Sequence, residues 1–174
     1  MSGVKRFLLL ALLPLLAVAP AAGQRGGSAL KGHDSNAPVD VAADRIEVQD
    51  RADRAIFSGN VVARQGDLQL AAARVTVAYA NQGGIAIKRL EASGGVTLQT
   101  PSQTARSQFA IYDLDRRLVT MIGAVTLTQG ANRVQGGRLV LDLDSGRAVM
   151  DGGAAQASGG RVTGRFTVPR RQGN

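Results

Sequence analysis

Apolar side chains recur at every second position along most of the chain after Pro38, and this alternation restricts the possible folds more than any other feature. A period of two places these side chains on one face of a β-strand, and no window sustains a helical stripe for three turns. We therefore predict an all-β domain over residues 38–152. The alternating sets are Val39/Val41, Ile46/Val48, Val61/Ala63, Leu68/Leu70, Val75/Val77/Tyr79, Val96/Leu98, Val125/Leu127 and Leu139/Leu141/Leu143.

The alternation is organised in repeats of about 30 residues. The tetrapeptides Ser58–Val61, Ser93–Val96 and Ile122–Val125 each contain Gly-x-Val, which we interpret as the opening of a strand. Such a period indicates stacked units that bury their apolar faces against their neighbours. Two facing antiparallel sheets, as in a jelly roll, would satisfy this requirement, and a single-sheet solenoid is the alternative.

The N-terminus has the layout of an export signal. Lys5 and Arg6 precede an apolar stretch from Phe7 to Ala19, and Ala19-Pro20-Ala21 offers small residues for cleavage. The apolar stretch is shorter than the ~20 residues that span a membrane, so we expect residues 1–21 to be a cleaved signal peptide rather than a retained anchor. Residues 22–37 are predicted to be a flexible leader. The chain contains no cysteine, so the core must hold without disulfides.

The chain is strongly basic, with a formal net charge of +8. No acidic residue follows Asp151, and we expect residues 153–174 to form a basic, Gly/Arg-rich tail with at most one last strand near residues 161–168. The tail could meet phosphate, acidic sugar or a partner, or it could be a solvated end. Aromatic residues make up only 3% of the chain, which together with export argues against a nucleic-acid partner.

The residue types needed for catalysis are scarce. The single histidine, His33, lies in the leader, which makes a His-based metal site or a Ser-His-Asp triad improbable. The carboxylate pairs Asp113/Asp115 and Asp142/Asp144 alternate with apolar residues and are expected on a solvated face beside hairpin turns. We predict no catalytic residue, no metal site and no cofactor.

An apolar interior is the remaining candidate for a binding site. Small residues such as Ala63, Ala72 and Ala105 occupy inward positions, where they could leave a groove open. They could equally let the two sheets pack closely, because close packing is the rule for protein interiors. The composition leaves both possibilities open.

Residues 38–80 resemble the opening of the LptA/OstA-like family of lipopolysaccharide-transport proteins. The resemblance rests on Gly59-Asn60-Val61, the following Gln65-Gly66 and an alternating strand, and it continues through Ser107-Gln108-Phe109 to Gly123. The unit around Gly94 departs from the pattern, because Thr100-Pro101 stands where the others have Gln-Gly.

The resemblance implies an open β-jelly roll of two V-shaped, facing antiparallel sheets in a periplasmic carrier, which shields the lipid A acyl chains of lipopolysaccharide on their way to the outer membrane. It also implies jelly-roll partners in the inner and outer membranes and end-to-end self-association, for which Val39–Val48 and Leu139–Met150 are the expected edges. Separately, Arg64, Arg74 and Arg106 could meet lipid phosphates at the rim, or they could be solvated surface arginines, which is the account we favour. The lining positions that match the family are Val39, Phe57, Val61, Leu98, Tyr112, Leu114, Met121 and Leu127.

Three other interpretations compete with the carrier. The chain could be the membrane-anchored partner with the same fold, or a self-assembling structural β-solenoid with a closed core. A glycan hydrolase that uses Asp113 or Asp142 is the enzyme alternative.

Overall fold

The computed structural model describes residues 33–81, 83–153 and 160–168. The predicted signal peptide and the leader up to residue 32 lie outside these residues. A 3-10 turn at Asp50–Ala52 is the one helical element among them, and they contain no helix that is long and apolar enough to cross a membrane. The strands are β1 (Val39–Ala42), β2 (Arg45–Gln49), β3 (Arg54–Gln65), β4 (Leu68–Asn81), β5 (Ile85–Gln99), β6 (Gln103–Asp113), β7 (Leu118–Gln129), β8 (Asn132–Asp142), β9 (Arg147–Asp151) and β10 (Thr163–Arg165).

From β3 to β8 the strands form an antiparallel meander in which neighbours along the chain are neighbours in the sheet. The order is β1-β3-β4-β5-β6-β7-β8-β10, while β2 also pairs with β3 and β9 also pairs with β8. Short connections such as Gln65–Leu68 and Gln129–Asn132 join the strands as hairpins. One predicted repeat of about 30 residues therefore corresponds to two consecutive strands.

A row of β-bulges crosses the middle of the long strands. The register shifts between Ser58 and Val61 on β3, and equivalent shifts follow in β4, β5, β6 and β7. Gly59, Gly94 and Gly123 sit in this row with φ of +78°, +84° and +88°. The interpretation of each Gly-x-Val as the opening of a strand is therefore wrong, because these glycines take the left-handed conformation that a bulge needs in the middle of a strand.

The row of bulges divides the sheet into two half-sheets. The first half-sheet consists of β2, residues 54–58, 74–81, 85–93, 109–113, 118–122 and 138–142, and β9. The second half-sheet consists of β1, residues 61–65, 68–72, 96–99, 103–107, 125–129 and 132–136, and β10. Strands that pass from one sheet to the other through a bulge make the corner of such packings.

The two half-sheets face each other across one apolar core. Leu90 and Val119 of the first half-sheet line the same internal gap as Leu70 and Leu98 of the second. Val75, Val119, Met121 and Leu139 are completely buried. Because the two outermost strand pairs are not joined to each other, the structure is an open antiparallel β-jelly roll, as predicted.

The free edges differ in part from the expected ones. β1 and β2 form one edge over residues 39–49, which includes the predicted segment Val39–Val48. At the other end β9 and β10 cover β8, so the edge is formed by Arg147–Asp151 and Thr163–Arg165, and the expected edge position of Leu139 is wrong. The second of these strands lies within the segment 161–168 of the C-terminal tail.

Glycines in the row of bulges provide a direct test of the fold. A Cβ added at Gly94 would approach the Cβ of Ala73 to 2.6 Å, whereas one added at the adjacent Gly95 would meet nothing within 4 Å. Both residues have positive φ, so an alanine at either position carries a similar backbone strain. We expect Gly94→Ala to lower the free energy of unfolding by about 1 kcal/mol more than Gly95→Ala does. Urea denaturation measures the difference, and equal losses would contradict the close approach at Gly94.

Candidate functional site

The eight predicted lining residues all face the space between the half-sheets. Four of them belong to the buried core: Val61, Leu98, Tyr112 and Met121. The other four are partly buried and pack against it: Val39, Phe57, Leu114 and Leu127. Their position is therefore that of a lining, while their contact with a ligand stays a prediction.

Strand geometry explains why these side chains point inward. Leu98 lies opposite Leu70 on β4 and Ala105 on β6, and directly opposed residues of an antiparallel pair share a face. The same relation places Met121 beside Ala110 and Leu139. Rows of apolar residues therefore run across the strands on the inner face of each half-sheet.

The half-sheets pack closely in this structure. Ala63, Ala72 and Ala105 are buried, and their small side chains allow the opposing face to approach. The gap lined by Val39 and Leu68, among others, leaves about 20 Å³, which is room for about one water molecule. The interior in this conformation is therefore closed, which answers a question that the composition left open.

The apolar inner face nevertheless continues to both ends of the jelly roll. At the β2 end, Ile46 and Val48 lie opposite the inward Phe57 and Ala55, yet they are 55% and 56% exposed. At the β10 end, the ring of Phe166 lies over Gly164 and is 67% exposed.

Gly164 pairs with Val134, which in turn pairs with the inward Leu127, so the ring of Phe166 covers the inner face. Apolar surface is therefore accessible at each end of the core.

Two polar side chains meet at the mouth between the half-sheets, where the strands end. The Tyr112 hydroxyl of the first half-sheet donates a hydrogen bond of 2.7 Å to Gln65 Oε1 of the second. Both residues are only 4% exposed, and burial raises the pKa of the Tyr112 phenol. This pair, which we call the latch, links the two half-sheets directly.

A short segment that precedes β1 covers the latch. We call this segment, residues 33–37, the strap. The backbone carbonyl groups of its Ser35 and Ala37 accept hydrogen bonds from Gln65 Nε2 at 3.0 and 2.9 Å. The side chain of His33 is 1% exposed and lies 3.2 Å from Asp67.

On the other side of the mouth, the Arg117 guanidinium donates a hydrogen bond of 3.2 Å to the Asn36 side chain. The strap therefore bridges the mouth, and the last five residues of the predicted flexible leader are packed against the domain.

The carboxylate pairs belong to hairpin turns. Asp113 accepts a hydrogen bond from the backbone N–H of Arg116, and Asp142 accepts one from that of Ser145. These backbone hydrogen bonds lower the pKa of both carboxyl groups. Among the described residues, no three His, Asp or Glu side chains form a group that could hold a metal ion.

The three arginines predicted at the rim lie on the outer faces. Arg74 is next to the inward Val75, and Arg106 lies between the inward Ala105 and Ser107, so strand alternation turns both outward. Both also adjoin the row of bulges, far from the mouth. Only Arg64, which is near a strand end, lies close to the mouth, and its contact with a phosphate stays a prediction.

The sequence reasoning named Tyr112 as a lining residue but missed its partner Gln65 and the strap. Gln65 was used only as part of the Gln65-Gly66 motif, although it continues the inward series of Val61 and Ala63 at every second position. Its burial was therefore visible in the alternation. The strap carried no comparable signal, since its contacts are with residues about 30 or more positions away.

Comparisons with known proteins match this architecture. The structure superposes on LptH, described as the LptA-homologous periplasmic component of the lipopolysaccharide transport device of Pseudomonas aeruginosa, with a TM-score of 0.68 and 19% identity. This match covers 78% of this chain and 99% of LptH. An uncharacterised protein of Rhizobium meliloti strain 1021 is 34% identical over 132 residues, which cover 72% of this chain and 68% of the relative.

A family model gives the assignment. Residues 40–147 match the model described as "LptA/(LptD N-terminal domain) LPS transport protein". The family is one of transport proteins, which confirms the prediction that the chain is not an enzyme. Because the match covers more than half of the chain and includes all of the bulge positions, the chain belongs to the LptA/(LptD N-terminal domain) family of lipopolysaccharide transport proteins.

Proposed function

We propose that this protein carries lipopolysaccharide through the periplasm and shields the lipid A acyl chains between its two half-sheets. The apolar inner face is the observation that carries the proposal, because it extends from exposed Ile46 and Val48 at one end to exposed Phe166 at the other. Exposed apolar surface of this kind is uncommon on proteins that function as monomers and typically marks a site of interaction. Open apolar ends suit a protein that passes an apolar cargo to a neighbour.

The closed interior requires that the half-sheets separate when the cargo enters. Transfer of a 14-carbon acyl chain out of water is favourable by ~10 kcal/mol, at ~0.8 kcal/mol for each CH₂ group. A hydrogen bond such as that between Tyr112 and Gln65 contributes about 0.5–1.5 kcal/mol. Acyl chains can therefore displace the latch, and the half-sheets close again after release. Net transport in one direction must be driven by a partner, since the chain has no nucleotide-binding motif.

End-to-end assembly would join the open ends of successive molecules. β1 and β2 at one edge, and β9 and β10 at the other, have no further strand partner among the described residues, so their outer backbone N–H and C=O groups can add to another sheet. Pairing across these edges would bring Ile46 of one molecule near Phe166 of the next and cover both. Jelly-roll proteins of the inner and outer membranes would bind the two terminal molecules by the same pairing.

Photo-crosslinking in living cells tests the carrier proposal. Leu127 and Thr126 are adjacent and similarly half-buried, but Leu127 faces the interior and Thr126 faces outward. With a photoreactive residue at each position in turn, we expect a lipopolysaccharide adduct at residue 127 and none at residue 126. Immunoblotting for lipopolysaccharide detects the adduct.

A second matched pair, Ile46 and Glu47, probes the open end in the same way. If neither inward position gives an adduct, the interior does not hold the lipid. The closed gap of about 20 Å³ would then favour the second candidate function, a structural protein with a permanently closed core.

The latch can be weakened without loss of apolar volume. We expect Tyr112→Phe to lower the free energy of unfolding by about 1–2 kcal/mol, because it leaves the buried Gln65 Oε1 without its short hydrogen bond. Tyr79→Phe is the matched control, since the Tyr79 hydroxyl makes an exposed contact of 3.4 Å with Asp50 and should contribute less than about 0.5 kcal/mol. Thermal denaturation compares the two variants, and an equal effect would contradict the role of the latch.

End-to-end assembly is testable because the natural chain has no cysteine. When Glu47→Cys on β2 is mixed with Val149→Cys on β9, we expect a short bis-maleimide to yield dimers that contain both variants. Thr120→Cys, on a central strand, replaces Val149→Cys in the control mixture and should yield few dimers. Equal yields in the two mixtures would argue against pairing at the edges.

A further inference from the structure

Charge is distributed unequally between the two half-sheets. From β4 to β10, the second half-sheet and its adjoining residues (68–72, 96–107, 125–136 and 160–168) contain no Asp or Glu. All charged residues in these segments are arginines: Arg106, Arg133, Arg161 and Arg165. Every Asp and Glu of the chain lies among the described residues, so no acidic side chain outside them can neutralise these arginines.

The first half-sheet shows the opposite arrangement. Its basic residues are interspersed with carboxylates, and some of them form ion pairs, such as Arg89 with Glu91 and Arg138 with Asp151. In the part of the chain that the structure describes, Arg106, Arg133 and Arg165 form no ion pair. Four arginines of the first half-sheet also form no ion pair with the described residues: Arg45, Arg54, Arg74 and Arg147. This half-sheet nevertheless has five carboxylates to its seven basic residues, so the excess of positive charge is larger on the second half-sheet from β4 to β10.

Two of these arginines lie directly opposite each other. Arg165 of β10 pairs in register with Arg133 of β8, and both point outward because the neighbouring Gly164 and Val134 point inward. Like charges in directly opposed positions destabilise a sheet. An anion that binds both guanidinium groups would remove this repulsion.

The surroundings of the arginine pair suit phosphate groups. Thr128, Gln135 and Thr163 border the same open depression of about 620 Å³, and their hydroxyl and amide groups can donate hydrogen bonds. Guanidinium groups bind phosphate oxygens in a bidentate manner. The outer face of β6, β7, β8 and β10, which we call the basic face, thus combines charge, donors and exposure.

We propose that the basic face docks onto an anionic phospholipid membrane. Strands are ~4.8 Å apart, so Arg106, Arg133 and Arg165 spread over about 14 Å of a sheet surface rather than converging in a cleft. A membrane presents many phosphates in one plane and complements such an array, whereas a compact ligand would reach only part of it. This docking is separate from the apolar interior and would hold the carrier beside the membrane that supplies or receives its cargo.

Co-sedimentation with phosphatidylcholine vesicles, with and without phosphatidylglycerol, tests the proposal. Near an anionic surface each basic residue strengthens binding about fivefold, so Arg133→Gln/Arg165→Gln should weaken binding to the anionic vesicles about 25-fold. Arg45→Gln/Arg147→Gln removes the same charge from exposed positions of the first half-sheet and should weaken it about twofold or less. Both variants share the same N-terminal segment, so a difference in binding between them does not arise from that segment.

Two results would overturn the proposal. One is an equal loss of binding for both double variants, which would show that only net charge matters. The other is binding of lipopolysaccharide aggregates, but not of anionic vesicles, through Arg133 and Arg165, which would assign the basic face to the phosphates of the cargo.

Two further measurements on the Arg133→Gln/Arg165→Gln variant distinguish a loss of membrane docking from unfolding and from a loss of cargo binding. Its melting temperature should stay the same or rise, because the repulsion between the arginines is gone. Its crosslinking to lipopolysaccharide from residue 127 should persist, so loss of membrane docking is distinguishable from loss of cargo binding.

Discussion

The row of β-bulges is the feature on which the rest of the structure depends. Strands as long as the 15 residues of β5 would, if unbent, form one broad sheet with an uncovered apolar face. The bulges, with glycines such as Gly59 and Gly94 at positive φ, fold this sheet back on itself, so its two halves cover each other. The core, the mouth, the free edges and the separate outer faces all follow from this bend. No disulfide is needed, because the same meander supplies both layers of the core.

The sequence predicted the inner face well because strand alternation is a local property. Val61, Leu98 and Met121 could be placed correctly without knowledge of their partners, since a period of two assigns each residue to a face. The same rule turns Arg74 and Arg106 outward, which agrees with the interpretation of both as solvated surface arginines. The glycine motif, by contrast, was misinterpreted. Positive φ is required both in a turn and in a bulge, and only the pairing of the flanking strands distinguishes them.

The mouth could not be predicted, because its contacts are non-local. Tyr112 and Gln65 are separated by 47 residues, and neither residue type indicates the other. Asn36 and Arg117, which fasten the strap, are separated by 81 residues. Likewise, the opposition of Arg133 and Arg165 depends on how β10 returns to β8, across a segment of small and polar residues without strand alternation. Local patterns thus give the faces of the strands, and the chain topology determines which side chains meet.

A closed interior is compatible with a carrier on energetic grounds. An empty groove that stayed open would expose the buried leucines and valines of both half-sheets to water, at about 25 cal/mol for each Å² of apolar surface. Closure removes that cost in the empty state, while the few polar bonds of the latch are weak compared with the transfer of an acyl chain from water. The ends behave differently, since Ile46 and Phe166 are exposed and could be covered by a neighbouring molecule. The same apolar face therefore favours closure of the middle and association at the ends, and a cargo that separates the half-sheets need not disturb the edges through which neighbours would bind.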